Sequence, residues 1–313
     1  MDSRVSCPDL RPSTAAAGPP VLRSADAHRL AGLVRDGKPQ GPVTVVVVPS
    51  VTLDPAELRR IPGSVHFEHR LLFTLRYLRD PQVRVVYVTS GPLERAAVDY
   101  TLRILCGAQA DAAAARLTLI DCDDAGDDAV ALTHRVLARQ AVQERILACP
   151  DVPDRAYLLT FTTTPAERFL ADRLGLPLYG CDPELAPLGT KTGSRRLFAE
   201  AGVPVAEGRD GIRNRAGLVA ALAGLVPPGA GPASVVVKLD DSFAGLGNAV
   251  VALPAVPPTA DFDWYERQVV AGVCFADGEL TWPRFLDAVD RRGCVVERLV
   301  ESPARLAPSA QLE

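Results

Sequence analysis

The segment Val235-Val236-Val237-Lys238-Leu239-Asp240-Asp241-Ser242-Phe243-Ala244-Gly245-Leu246-Gly247-Asn248-Ala249-Val250-Val251 sets two β-branched runs around a turn of small and acidic residues. β-Branched side chains suit a pleated surface, so the pattern predicts strand, turn, strand. Lys238 comes near the end of the first run, and Gly245 and Gly247 leave their backbone N–H groups unobstructed by Cβ atoms. Two readings follow. A plain hairpin needs the glycines for its turn and leaves the lysine in solvent. A cover over phosphates needs the same glycines so that backbone donors reach anionic oxygens, with the lysine as a fixed positive head.

Upstream of this segment the chain alternates between strand and helix patterns. Thr44-Val45-Val46-Val47-Val48-Pro49 is a continuous apolar run, as a strand covered on both faces requires. Phe67, Leu71, Leu72, Leu75 and Leu78 recur at helical spacing until Asp80-Pro81. The pattern then predicts strands over 83–88, 116–122 and 157–162, helices over 93–105 and 165–174, and one long helix over 129–149. Such alternation implies right-handed crossovers and a mostly parallel sheet. The expected organisation is a partly ordered leader over 1–40, a Rossmann-like α/β domain over 41–185, and a second, α+β domain over 186–313. No G-x-G-x-x-G follows a strand, so a dinucleotide site is not indicated. The loops Thr89-Ser90-Gly91 and Thr162-Thr163-Thr164 read either as ordinary turns or as places for a small polar ligand.

The 313 residues carry a formal charge of −4 and are 48% hydrophobic and 23% charged. No apolar run approaches the ~20 residues of a bilayer span, and no basic field would draw the chain to nucleic acid or a membrane. Seven scattered cysteines without a C-x-x-C pair suit a reducing compartment. With no signal or transit pattern at the N-terminus, a cytoplasmic protein is expected.

Further motifs sit around the opening segment. Gly189-Thr190-Lys191-Thr192-Gly193-Ser194-Arg195-Arg196 opens a helix that stops at Ala201-Gly202-Val203-Pro204, and Val295-Val296-Glu297-Arg298-Leu299-Val300 is a late strand-like run. A lysine opening a helix, a second lysine on a strand before a glycine-rich loop, and an apolar-Glu-x-x-apolar run, in that order, resemble the ATP-grasp superfamily. With Glu68-His69-Arg70 and the run from Ser302 to Leu312, the wording is similar to the bacterial peptide ligases of the pheganomycin type, which carry a pre-ATP-grasp domain.

The resemblance implies roles for matching positions. Lys191 and Lys238 would meet the α- and β-phosphates of ATP. The loop from Asp241 to Asn248 would fold over the triphosphate, with Ser242, Ala244, Gly245, Leu246 and Gly247 offering backbone donors. The Glu297 carbonyl and the Val300 N–H would read the adenine, Glu301 would hold the ribose, and Val236, Val296 and Leu299 would cover the base. The implied reaction is carbon–nitrogen bond formation: a carboxylate is phosphorylated by ATP to an acylphosphate, which an amine attacks. The substrates would be a small carboxylate and an amino acid or peptide, and a homodimer is left open. The family's magnesium ligands, an acid and a Glu-x-Asn pair after the hinge, find no match before Glu313. The chain therefore reads as part of a longer ligase or as a non-catalytic ATP- or peptide-binding module, and no residue is assigned a catalytic or metal-ligating role.

Other groups carry weaker signals. His66 and His69 lack a third zinc ligand nearby. Asp121, Asp123, Asp124, Asp127 and Asp128 lack the ordered spacing of a calcium loop. Asp240 and Asp241 read as capping groups rather than cation ligands, and Glu68 and Arg70 as residues that stabilise the first domain or face its junction with the second.

Overall fold

The computed structural model describes residues 24–300 apart from 54, 60, 62, 64–66, 124–129, 243, 244 and 279. Its first element is a helix, Ser24–Leu33, within the stretch read as a leader. Leu30 and Leu33, three apart, are buried against the first domain's core, and Asp26 is paired with Arg168. A tight hairpin of β1 (Val34–Arg35) and β2 (Lys38–Pro39) follows. Its turn residues Asp36 and Gly37 both take positive φ, 50° and 69°, a conformation for which Asp-Gly is favoured.

Five parallel strands come next: β3 (Val43–Val48), β4 (Val83–Thr89), β5 (Leu117–Asp121), β6 (Ala156–Thr160) and β7 (Leu178–Tyr179), in the order β5-β4-β3-β6-β7. All six side chains of β3 are buried, because the two-residue period sends alternate valines to opposite faces and both faces are covered. Val46, Val48, Val86 and Val88 join Ile146 and Leu170 in one apolar layer. Val43, Val45, Val47, Val83 and Val85 join Leu75, Leu78 and Leu102 in the other. The expected α/β class and parallel sheet are present.

Two helical expectations are revised. The segment 67–79 is α-helical only over Phe67–Arg70 and continues as a 3₁₀ helix, Leu71–Arg79. Leu72, Leu75 and Leu78 are spaced three apart, and a helix of three residues per turn puts them in one buried row. The long helix over 129–149 is two shorter ones, Leu132–Leu137 and Gln140–Leu147, separated by Arg139 in an extended conformation. Gln143 holds the break together by donating Nε2 to the carbonyls of Val136 (2.9 Å) and Leu137 (3.1 Å).

By contact density the chain divides into Met1–Leu185 and Ala186–Glu313. The second unit is built on β8 (Gly208–Ile212), β9 (Ala233–Leu239), β10 (Asn248–Leu253), β11 (Val273–Phe275) and β12 (Cys294–Arg298), in the order β11-β10-β9-β12-β8 with every neighbour antiparallel. Helices Arg215–Leu225, Phe262–Gly272 and Trp282–Arg292 supply Leu218, Leu222, Tyr265, Val269, Phe285 and Val289. These pack on Val235, Val237, Leu239, Val251 and Val296. The opening segment is the β9–β10 hairpin, with Asn248 opposite Lys238. Among the described residues no helix is long and apolar enough to cross a membrane, and the six described cysteines are free.

Candidate functional site

Strand β9 alternates: Val235, Val237 and Leu239 face the helical core, which leaves Val236 and Lys238 on the opposite face. That second face meets the helix Lys191–Glu200, which packs against β8 and β12. The start of this helix is fixed by two caps. The Thr190 hydroxyl accepts from Gly193 N at 3.0 Å, and the Asp240 carboxylate accepts from Thr192 N at 2.8 Å. The Asp240 carbonyl also accepts from Lys191 N at 3.1 Å. Asp240, 5% exposed, thus ties the end of β9 to the first turn of the helix. Of its two sequence readings, the geometry gives the cap.

The caps bring the two lysines to the same turn. Lys191 donates its Nζ to Ser242 Oγ at 3.0 Å. Lys238 donates to Glu297 Oε2 at 2.5 Å, and Arg195, one turn along the helix from Lys191, donates to Glu297 Oε1 at 2.5 Å. Burial holds the Lys191 ammonium below the usual lysine range and the nearby charge of Lys238 adds to this, with Asp240, Asp241 and Glu297 opposing. Burial pushes the Glu297 carboxyl up, but its bonds to Lys238 and Arg195 outweigh that and hold it below the ordinary carboxylate range.

Two glycines make the close packing possible. A Cβ on Gly247 would lie 2.7 Å from Ser242 Cβ and 2.9 Å from Leu239 Cβ, so only glycine lets the turn close onto Ser242. A Cβ on Gly208 would lie 2.5 Å from the Val296 carbonyl and 3.1 Å from both Arg195 Nη2 and Glu297 Cγ. The turn is closed by Leu239 N donating to Gly247 O (2.9 Å) and Asn248 N donating to Gly245 O (3.0 Å), with Gly245 at φ 82°. Leu246 is half-buried beside it. The amide oxygen of Asn248 is buried without a hydrogen-bond partner. Ala244 lies outside the described residues.

At the other sequence-predicted wall, Glu297 pairs with Val236 of β9 and Gly208 of β8. One assignment is corrected. Val296 is fully buried in the helical core, opposite Val237, and cannot cover a base on the Lys238 face. The period of two places Val295, paired with Lys238, on that face instead. Beyond the strand Arg298 N donates to Glu207 O and Leu299 N to Ser234 O. Val300 is 70% exposed, and Glu301 and the 302–312 motif lie outside the described residues. Arg195 stands in a motif singled out in the sequence but has no role there. Its spacing of four from Lys191 on one helix is the signal that places both on one face.

In the first unit the carboxyl-end loops spend their polar groups on each other. Thr162 Oγ1 donates to Ser50 O (3.0 Å) and accepts from Thr52 N (2.9 Å). Thr89 Oγ1 donates to Gly91 O (2.8 Å). Glu68 accepts from Ser90 through both N (2.7 Å) and Oγ (2.5 Å), which is the stabilising reading of that residue. Among the described residues no three His, Cys, Asp or Glu side chains group as a metal site; His66 and residues 124–129 lie outside them.

Against known proteins, the family described as IQCH-like, ATP-grasp matches residues 183–268, which include Lys191, Lys238 and the glycine turn. The L-propargylglycine--L-glutamate ligase of Streptantibioticus cattleyicolor is 30% identical over 211 residues, 65% of this chain and 43% of that protein. The IQ motif-containing protein H of Danio rerio is 26% identical over 230 residues, 66% of this chain and 21% of that protein. The chain therefore spans less than half the length of these curated relatives. No solved structure matches it.

Proposed function

We propose, from the chain's similarity to the ATP-grasp superfamily, that its second unit binds ATP at the face shared by Lys191, Lys238 and the Ser242–Asn248 turn. In this reading it serves an ATP-dependent carboxylate–amine ligase of the pheganomycin type. The observation that carries it is that two lysines 47 residues apart in sequence reach the same turn: Lys191 donates to Ser242 Oγ at 3.0 Å and Lys238 stands opposite Asn248 in the hairpin. Ammonium donors beside a glycine turn suit an anion.

The residues fit a triphosphate. Lys191 and Lys238 would contact its α- and β-phosphates, and backbone N–H groups of the turn would approach where Cβ atoms are missing. The donor set is of the kind a triphosphate's acceptor oxygens need: two ammonium groups and the backbone of a glycine turn. Glu297 and Arg195 fix where the Lys238 ammonium sits, and the Glu297 carbonyl with the Val300 N–H would meet the adenine. The described carboxylates do not assemble a magnesium site, since Asp240 caps a helix and Glu297 holds two cations; no step is routed through the metal, which would arrive with ATP. The reaction class is transfer of the γ-phosphoryl group to a carboxylate oxygen, then attack of an amine on the acylphosphate with release of phosphate.

Equilibrium binding of ATP with magnesium tests this reading. Each of Lys191→Ala and Lys238→Ala removes a charge-assisted hydrogen bond, so each should weaken binding by roughly tenfold or more. Wild-type affinity in both variants would refute it. Phosphate release in the presence of mixed amino acids distinguishes a ligase from a binding module.

A further inference from the structure

At the amino-terminal edge of the parallel sheet, opposite the carboxyl-end loops, the first unit holds a cleft of about 360 Å³. Its apolar wall comes from Val34 of β1 and from Val43 and Val83, the first residues of β3 and β4. Tyr157 of β6 lines it as well. That residue is 5% exposed as a whole, and its hydroxyl makes no hydrogen bond to another described residue. A phenol that lines a cleft and spends no hydrogen bond on the chain is free to donate to a molecule held there.

The charges lining the same cleft are unequal. Arg76 and Arg79 are exposed there, against one carboxylate, Asp80. The Arg76 guanidinium lies 5.6 Å from the centre of the Tyr77 ring. Among the described residues Arg79 engages its Nε, donating to Leu105 O at 2.6 Å. Asp80 is partly committed, accepting from Gln82 N at 2.8 Å. The cleft therefore offers guanidinium donors and the phenols of Tyr77 and Tyr157 beside an apolar wall.

We propose that this cleft binds a small organic acid, a single ring or short chain bearing a carboxylate, with Arg76 and Arg79 taking the carboxylate and the Tyr157 hydroxyl donating to an oxygen of the same ligand. The volume lies at the small end of ligand sites, which suits one ring rather than a nucleotide. The valine wall disfavours a sugar or a bare phosphate, whose polar surface it would leave unpaired. Burial, reinforced by Tyr77 and Tyr179, raises the Tyr157 phenol far above the usual tyrosine range, so it remains a donor at neutral pH. The site stands apart from the nucleotide reading and does not depend on it.

Titration of the full chain with phenylacetate, followed by calorimetry, tests the assignment, with phenethylamine as the cationic counterpart of the same body. Phenylacetate should bind saturably and phenethylamine should not. Arg76→Gln should weaken phenylacetate by roughly tenfold or more, and Tyr157→Phe by roughly fivefold, as expected for a charged and a neutral hydrogen bond. Arg76 is exposed, so its variant retains the fold, which an unchanged thermal midpoint verifies. Absence of saturable phenylacetate binding, equal binding of the amine, or wild-type affinity in Arg76→Gln would overturn the proposal. Wild-type affinity in Tyr157→Phe alone would remove the phenol from the site and overturn the assignment as stated.

Discussion

Glu297→Gln is the most informative single change in the second unit, because it keeps size and one acceptor oxygen while deleting the anion between two cations. The side chains of Arg195, Glu297 and Lys238 are 11%, 14% and 32% exposed. Removing one member of a fully buried pair costs about 3–5 kcal/mol, since it strands a charge, whereas an exposed pair contributes about 0–1 kcal/mol. With two buried partners and a third reached by solvent, the expected loss at pH 7 is about 2–3 kcal/mol. That corresponds to a fall in the urea midpoint of roughly 1–2 M. The pH dependence follows from the depressed carboxyl. Its folded value lies below its ordinary 4.5, so the stabilisation is complete above that value and is lost as pH falls through the folded one. The gap between wild type and variant should therefore be widest at neutral pH and narrow in acid. Urea unfolding followed by circular dichroism at pH 7 and pH 3.5 measures both. Equal midpoints at pH 7, or a gap undiminished in acid, would refute the reasoning.

Gly247→Ala should destabilise the second unit by about 1–3 kcal/mol, because the new methyl overlaps Ser242 and Leu239; thermal melts check this, and ATP affinity should fall with it. Asp240→Ala should cost about 1–2 kcal/mol by leaving Thr192 N uncapped. Asp240→Asn keeps an acceptor and should lie much closer to wild type in the same melts.

The first sheet was legible because its strands are buried on both faces: an unbroken run such as 44–48 has few other homes, and Gly175 ends its helix at φ 67°, as the spacing predicts. What escaped sequence reading was structure without a hydrophobic period. β8, Gly-Arg-Asp-Gly-Ile, forms because β12 lends it a partner, and β11 because β10 does. The split at Arg139 was equally hidden, since apolar positions 136, 142 and 146 look continuous when the backbone between them is extended. At the candidate site, the lysines and glycines were visible as residue types in order. Which valine shares the Lys238 face was not, because strand register depends on pairing with distant residues. Arg195 shows the same limit, as its partner lies 102 positions away.

The order β11-β10-β9-β12-β8 places β12 between two strands made earlier in the chain. While the polypeptide is being synthesised, Gly208–Ile212 has no neighbour to pair with, and the Lys238 ammonium has no counter-ion, until Cys294–Arg298 leaves the ribosome. Nascent chains stalled before that point should carry an open strand edge and an unpaired cation, which leaves them exposed to chaperones or aggregation until β12 inserts.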